Sequence, residues 1–219
     1  MDKVISYSVW GNNPKYIKGA YKNLLLQKEF FPEWKCRFYV DYFFPREIGI
    51  KLLEEGAQVY SSYASDGYYG LYWRFEVLKD LSIERFIVRD VDSRLSLRDA
   101  IAVKEWEESK KDFHIIRDNA HHNVPICGGL WGATNKFIQE MSPIYKDLLK
   151  KHLTNLTFNE IYHSRGKYFY TDQLFLWRYI WPKIINKHLA HIKDLPQLVF
   201  TGNEKIYPNE SERFIGEAE

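Results

Sequence analysis

The sequence has few cysteines, no long apolar run and almost no net charge, and each of these deficits excludes a class of protein. Two cysteines in 219 residues, Cys36 and Cys127, cannot build a disulfide framework, and their apolar neighbours predict reduced, buried thiols. No apolar stretch approaches the roughly 20 residues that cross a bilayer, so no transmembrane segment is predicted. With 31 Lys and Arg against 29 Asp and Glu, the chain has no overall field to attract nucleic acid.

Two nucleotide-binding signatures and a targeting signal are also missing. The lone Gly11 after the first predicted strand is not a glycine-rich dinucleotide fingerprint, and no Walker sequence occurs. The stretch Val4 to Trp10 follows Asp2 and Lys3 without a basic leader or a small-residue cleavage site, so we interpret it as a first strand. We therefore expect a cytoplasmic protein, in the host cytoplasm if the source is a virus.

Aromatic residues, in contrast, are abundant: they make up 17% of the chain, within 45% apolar residues. That content suffices for a substantial core, and no repeat or linker divides the chain. Short β-rich segments alternate with helical patterns, beginning with Val4 to Val9 and a helix from Pro14 that stops before Pro32. The alternation predicts a single α/β domain over residues 1–219, with a mostly parallel sheet covered by helices on both faces.

The further elements follow the same alternation. Predicted strands cover residues 37–40, 57–60, 85–88, 113–116 and 128–132, and predicted helices cover 48–53, 71–81, 141–149 and 172–180. Ser96 with Asp99 three residues later resembles a capping box and predicts that another helix begins there. In an open α/β sheet, ligands gather at the carboxyl ends of the strands.

Asp90-Val91-Asp92, the one Asp-x-Asp in the sequence, has the strongest chemical implication. It follows the predicted strand that ends at Val88, so both carboxylates leave the sheet at its carboxyl edge. Hard carboxylate oxygens without a nearby Cys or His cluster suit Mg²⁺ or Mn²⁺ better than Zn²⁺. Such a cation is typically shared with a phosphate. An exposed turn with two solvated aspartates is the alternative.

Residues at the exits of the first two strands are candidates for nucleotide binding. Ser6, Tyr7, Ser8 and Trp10 lie at the end of the first strand, and Asp41 ends the second at the same edge. Both segments are therefore placed to touch a base or a ribose. For Trp10, packing in the core is an equal alternative.

Candidates for acid–base chemistry and sugar binding come later in the chain. Asp172 opens a predicted helix, where the dipole would keep it ionised as a base or acceptor-binding group, although it could simply cap the helix. Asp118 ends a strand at the same edge and is the second candidate. The pair Gly128-Gly129 permits close backbone approach to a ligand, or Gly129 is a strand bulge. Trp131 offers an apolar face on which a sugar could stack.

Several blocks together resemble a known family. The run Arg89-Asp90-Val91-Asp92-Ser93-Arg94 is similar to the DxD block of small GT-A-fold glycosyltransferases found in glycan-building gene clusters of bacteria and large DNA viruses. Other blocks in family order are Tyr72-Trp73-Arg74-Phe75 before it, and Leu97–Ala100, Val103–Trp106, Phe113–Asp118, Gly128–Gly132 and Thr171-Asp172-Gln173 after it.

The resemblance implies a GT-A (Rossmann-like) fold and metal-dependent transfer of a hexose or deoxyhexose. The donor would be a nucleotide-diphosphate sugar, with UDP favoured, and the acceptor a hydroxyl of a glycan. Asp92 would bind Mn²⁺ or Mg²⁺ directly, and Asp90 would face the ribose or bridge to the sugar. Arg74 and Arg89 would contact the phosphates or the sugar, with salt bridges as the alternative.

The resemblance also bears on the late part of the chain. Gln173 falls in the acceptor block, and His191 is the candidate for a late metal ligand. Relatives usually continue beyond the position of Phe214-Ile215-Gly216, which implies a domain cut from a longer polypeptide with further catalytic domains.

Two other functions remain open. A sugar nucleotidyltransferase shares an α/β sheet and metal carboxylates, but normally has a glycine-rich basic loop where this chain has Gly11-Asn12-Asn13-Pro14. A non-catalytic glycan-binding module would use the aromatics as a sugar platform. We expect the aromatics outside the core to line the ligand cleft: Tyr68, Tyr69, Tyr72 and Trp73, then Trp131, then Tyr168 to Tyr170.

Overall fold

In the computed structural model, strands and helices alternate as the sequence predicts. The structure describes residues 1–62, 69–163, 166–167, 170–193, 204–206 and 215–218. The strands are Asp2–Val9 (β1), Trp34–Val40 (β2), Gln58–Ser61 (β3), Ile83–Val88 (β4), Phe113–Arg117 (β5), Trp131–Thr134 (β6), Tyr162–His163 (β7), Gly166–Lys167 (β8), His188–Ile192 (β9) and Glu204–Ile206 (β10). The helices are Pro14–Phe30 (α1), Arg46–Glu54 (α2), Gly70–Trp73 (α3), Leu97–Glu108 (α4), Asn135–Met141 (α5), Tyr145–Thr154 (α6), Phe158–Ile161 (α7), Thr171–Phe175 (α8) and Trp181–Ile184 (α9).

Eight of the described strands form one sheet in the order β10-β9-β5-β6-β4-β1-β2-β3. Their pairings are parallel except for those of β6, which runs antiparallel between β4 and β5. The predicted mostly parallel sheet with flanking helices is therefore confirmed. Because β6 is reversed, its amino-terminal end lies beside the carboxyl end of β4, where Val88 pairs with Trp131. The glycines before β6 are thereby brought to the edge that carries the two aspartates.

Local signals explain how the elements next to that edge begin. The side chain of Asn13 accepts a hydrogen bond from the backbone N–H of Lys15 at 3.0 Å, and Pro14 follows as the first helical residue of α1. The Ser96 hydroxyl accepts from the N–H of Asp99 at 3.2 Å, as the predicted cap of α4 requires. Gly11, with φ of 74°, supplies the left-handed conformation of the turn between β1 and α1.

The core lies on both faces of the sheet and contains much of the aromatic excess. On one face, Trp131 stacks on Phe113 at 5.3 Å between ring centroids, and Phe86 meets it edge-on at 5.1 Å. On the other face, Tyr7 stacks on Phe38 at 5.1 Å. Burial of these large side chains is the main source of stability, since the hydrophobic contribution grows with the apolar area removed from water.

Four predicted elements differ from the structure by more than a small shift of an end. The predicted helix 71–81 is α3 followed by a 3₁₀ segment, Arg74–Lys79, and the predicted helix 172–180 is α8 followed by a π-helical segment, Leu176–Ile180. The predicted helix 141–149 is α6, which begins only at Tyr145 and continues to Thr154, because Pro143 separates it from α5. The predicted strand 128–132 begins only at Trp131.

Among the described residues, no helix is long and apolar enough to cross a bilayer.

Candidate functional site

Three charged side chains meet at the carboxyl edge of the sheet. One terminal nitrogen of the Arg74 guanidinium donates to Asp90 Oδ1, and the other donates to Asp172 Oδ2 at 2.7 Å. Arg74 is 6% exposed and Asp172 is 3% exposed, whereas the Asp90 side chain is 41% exposed. The cluster is thus closed at Asp172 and open at Asp90, as a site that receives a ligand from one side would be.

Two serines of β1 hold Arg74 in place. The Ser6 hydroxyl donates to the Arg74 carbonyl at 2.7 Å, and the Ser8 hydroxyl accepts from the Arg74 backbone N–H at 2.8 Å. Both serine side chains are buried. The expectation that Ser6 and Ser8 face a nucleotide is not met in this structure, because their hydroxyls are used to position the arginine.

Charge and burial act in opposite directions within the cluster. Burial disfavours the charged guanidinium, but the adjacent Asp90 and Asp172 carboxylates outweigh it and raise the pKa of Arg74. Burial raises the pKa of Asp172, and the neighbouring Arg74 only partly offsets this rise. Arg74 therefore remains charged, while Asp172 holds a proton more readily than an exposed aspartate does.

The glycine pair before β6 lies directly against the two aspartates. A Cβ atom on Gly128 would overlap Asp172 Oδ2, and one on Gly129 would overlap Asp90 Oδ2. Neither glycine is among the described residues with positive φ. Space rather than backbone freedom therefore requires glycine here, and the close approach expected to a ligand is made to Asp172 and Asp90.

We expect Gly128→Ala to destabilise the protein more than Gly129→Ala does. The first methyl group meets the buried Arg74–Asp172 pair, which cannot move away, and overpacking of this kind costs about 1–3 kcal/mol. The second meets Asp90, which is partly exposed and can rotate, so a loss below about 1 kcal/mol is expected. Urea denaturation of both variants measures the difference. Equal losses would contradict the assigned geometry.

Asp92, the second aspartate of the motif, has a cationic partner. Its Oδ2 atom lies 3.1 Å from Lys15 Nζ, at the start of α1. Helix α1 also contacts the aspartate motif through Asn23, whose Nδ2 donates to the carbonyls of Val91 at 3.1 Å and Ser93 at 2.9 Å. The orientation of the aspartate turn is therefore set by this helix.

The two aspartates fit a hard divalent cation such as Mg²⁺ or Mn²⁺. Both project carboxylate oxygens from the end of β4, both side chains are partly exposed, and such a cation keeps several waters and needs only one or two carboxylates. In the described part of the chain, no group of three His, Cys, Asp or Glu residues is arranged to hold a metal ion.

His191, the expected late metal ligand, is engaged elsewhere. Its ring is 1% exposed, with Nδ1 2.9 Å from His114 Nε2 and Nε2 2.8 Å from Glu105 Oε2. These partners lie between the sheet and α4. Both ring nitrogens of His191 are used in this internal cluster. The expectation that His191 binds a metal together with the aspartates is therefore not met.

Arg89 and Asp118 also have structural partners. Arg89 is buried and forms a two-pronged pair with Asp99 of α4, at 2.9 and 2.7 Å, so the salt-bridge alternative describes its contacts and a role in phosphate binding is not supported. Asp118 is buried, accepts from Arg98 and accepts from the Ile215 backbone N–H at 2.8 Å. It anchors the segment 215–218 and lies outside the Arg74 cluster, so the structure does not support it as a catalytic group.

The residues at the exits of β1 and β2 have mixed surroundings. Asp41 Oδ2 accepts from the Gly11 N–H at 2.6 Å, which ties the two loops together. Trp10 is half-buried and stacks on Tyr16 at 6.3 Å, so it retains some open surface. Tyr7, in contrast, is fully buried on Phe38 and gives no surface to a base.

Of the other residues predicted to bind sugar, Gln173 lies beside Asp172 and Trp131 is buried. The Gln173 backbone N–H donates to Asp172 Oδ1 at 2.9 Å, and the residue is half-buried. Trp131 is 0% exposed within the aromatic core, so the expectation that it offers a face to sugar is not met. Tyr72 and Trp73 are buried as well. Tyr68, Tyr168 and Phe169 lie outside the described residues.

Two solved structures that are similar to this chain are the following. A glycosyltransferase involved in the glycosylation of the major capsid of PBCV-1 is 16% identical, with a TM-score of 0.50 over 88% of this chain and 82% of that one. The chain has a GT-A (Rossmann-like) fold. Mannosyl-3-phosphoglycerate synthase from Rubrobacter xylanophilus is 11% identical, with a TM-score of 0.43 over 62% of this chain and 54% of that one. No protein-family model and no curated protein matches the sequence.

Within this GT-A fold, the site includes residues that the sequence analysis missed. Lys15, Gly19 and Asn23 recur every fourth residue along α1, and a Cβ on Gly19 would overlap the Val91 carbonyl. The sequence signal that could have identified these residues is a glycine and an asparagine within the buried stripe of a helix. Tyr42 and Phe43, at 86% and 72% exposure, follow Asp41 directly and are open aromatic surfaces at this edge.

Proposed function

We propose that the chain is a metal-dependent glycosyltransferase that moves a sugar from a nucleotide-diphosphate sugar, favouring UDP, to a hydroxyl of a glycan acceptor. The observation that carries the proposal is the Arg74–Asp90–Asp172 cluster against Gly128-Gly129, at the sheet edge that follows β4. The fold supports it, since the similar viral structure is a glycosyltransferase that acts in the glycosylation of a capsid protein.

The donor end of the site has to stabilise negative charge on the leaving group. As the bond between the anomeric carbon and the diphosphate oxygen breaks, the departing nucleoside diphosphate gains charge. A divalent cation held by Asp90 and Asp92 would stabilise that charge where it develops. Arg74 fixes Asp90 through Oδ1, which leaves the other carboxylate oxygen free of this contact. The arginine thereby orients one of the two cation-binding carboxylates.

The acceptor end has to remove a proton. The acceptor oxygen bonds to the anomeric carbon and loses its hydrogen, and Asp172 is the carboxylate of the cluster suited to accept it. Burial raises the pKa of Asp172, which increases its affinity for a proton, while Arg74 holds it in position. Asp172 thus has a proposed role as base, and Gln173 is the neighbouring acceptor-block residue.

The nucleoside would occupy the loops that follow β1 and β2. Asp41 and Gly11 join these loops, Trp10 is half-buried beside them, and Tyr42 and Phe43 are exposed at their edge. An aromatic face of this kind can stack on a base, and the Asp41 carboxylate would contact the ribose. A glycan-binding module is less well supported, because three of the aromatics expected to line the ligand cleft, Trp131, Tyr72 and Trp73, are buried.

The proposed activity is tested with purified protein, a panel of nucleotide sugars, and Mn²⁺ or a chelator. We expect UDP with Mn²⁺ to stabilise the protein, by about 2.7 kcal/mol at a hundred times the Kd, and the chelator to abolish turnover of the accepted donor. Asp92→Asn should weaken nucleotide binding with Mn²⁺ by about tenfold, because a charge-assisted contact is lost. Asp147→Asn, on an exposed position of α6, is the matched control. Donor turnover that neither the chelator nor Asp92→Asn reduces would refute the proposal.

A further inference from the structure

Both aspartates of the motif already have an internal cation as a partner. Asp90 is paired with Arg74, and Asp92 is paired with Lys15 at 3.1 Å. The Lys15 and Asp92 side chains are 38% and 23% exposed, so this pair lies at the mouth of the site rather than in the core. A divalent cation that binds Asp92 through Oδ2 therefore takes the place of an ammonium group.

The backbone of Lys15 is held relative to Asp92, whereas its side chain is 38% exposed and reaches Asp92 through a long stem. Asn13 caps the N–H of Lys15, and Asn23 and Gly19 hold α1 against the aspartate turn. Lysine carries its charge on a flexible four-carbon stem, in contrast to the rigid fork of arginine. The first turn of α1 contains no acidic residue that would hold the ammonium on its own helix. Once displaced from Asp92, the ammonium stays close to the site without a new partner on that turn.

We propose that Lys15 is a donor-binding residue that couples metal binding to nucleotide binding, an inference that rests on the proposed function. In the free protein Lys15 neutralises Asp92. When a divalent cation takes the carboxylate, the ammonium moves to an oxygen of the donor diphosphate. A cation held by Asp92 would be shared with the diphosphate, which would bring a diphosphate oxygen close to the Lys15 ammonium. The metal ion alone then binds weakly, and metal and nucleotide each raise the affinity for the other.

The test compares Lys15→Met with Lys18→Met, a control on the same helix whose side chain is exposed and whose charge change is identical. Binding of Mn²⁺ alone is followed by electron paramagnetic resonance of the free ion, and binding of UDP at saturating Mn²⁺ by calorimetry. Because exposed ion pairs contribute modestly, Lys15→Met should bind Mn²⁺ alone about two- to fivefold more tightly than the unchanged protein. It should bind UDP with Mn²⁺ about five- to tenfold more weakly, since a charged contact to phosphate is lost.

Opposite shifts of the two affinities distinguish this role from a structural one, because a damaged site would lose both. Lys18→Met should change either affinity by less than about twofold. Unchanged or weaker Mn²⁺ binding in Lys15→Met would overturn the proposal, and so would Mn²⁺ binding to neither protein. If the unchanged protein bound Mn²⁺ but neither UDP nor any other nucleoside diphosphate, the proposed glycosyltransferase function would fail, whereas the Mn²⁺ titration would still decide whether Lys15 competes for Asp92.

Discussion

Replacing Arg74 with methionine is expected to lower the free energy of unfolding by about 3–5 kcal/mol at neutral pH. The change keeps much of the side-chain volume but removes the cation between two carboxylates. Asp172, at 3% exposure, would be left as a buried charge without its partner, which costs far more than the net contribution of the intact pair. Urea denaturation of the variant and the unchanged protein measures the loss.

The loss should depend on pH with a defined sign. Burial already raises the pKa of Asp172 in the folded protein, and removal of Arg74 takes away the main opposing effect. Between the unfolded and the folded pKa, the folded state then binds more protons than the unfolded state, so stability falls as pH rises. The deficit of Arg74→Met should accordingly be larger at about pH 8 than at about pH 5.

A matched arginine on the surface provides the control. Arg178 is paired with Glu160, but its side chain is 38% exposed, so Arg178→Met should cost less than about 1 kcal/mol at either pH. A deficit for Arg74→Met that is below about 1 kcal/mol, or that does not change with pH, would contradict the view that Arg74 neutralises a buried carboxylate.

The cluster also shows which parts of the site the sequence can predict. The position of Asp90 and Asp92 follows from local information, because a β-rich segment runs directly into them and their edge of the sheet is then determined. The contact between Arg74 and Asp172 joins residues 98 positions apart. No local pattern encodes a contact between residues so far apart in the sequence. The sequence therefore indicates Arg74 and Asp172 as two separate candidates. The structure adds that one guanidinium connects Asp90 with Asp172.

The residues that were predicted to face the ligand cleft but lie in the core have one physical cause in common. Whether a side chain after a strand faces the cleft or the core depends on which strands and helices are neighbours, and local periodicity does not specify this. The reversed insertion of β6 turns Trp131 into the core while it brings the glycines to the aspartates. Asp99 was predicted as part of a cap, but its carboxylate also pairs with Arg89. The mostly parallel sheet, in contrast, was predictable because alternation recurs along most of the chain.

Truncation of Trp131 is expected to lower the stability of the protein rather than its affinity for a ligand. Its indole is fully buried and contacts Phe113, Phe86 and Phe75 at centroid distances of 5.3, 5.1 and 5.3 Å. Trp131→Ala removes a large apolar surface and leaves a cavity that three aromatic rings cannot fill, so we expect a loss of about 3–5 kcal/mol. Chemical denaturation measures it, at a temperature where the variant remains folded.

The buried indole N–H allows a sharper version of the same experiment. Trp131 Nε1 has no hydrogen-bond partner within the described structure, so Trp131→Phe sacrifices volume but no hydrogen bond and should cost less than Trp131→Ala. Trp177, at 56% exposure, is the control, and Trp177→Ala should cost less than about 1 kcal/mol. In the folded fraction, Trp131→Ala should retain both nucleotide binding and sugar use. A Trp131→Ala protein of unchanged stability that loses sugar use alone would instead mean that this indole contacts the donor or acceptor sugar.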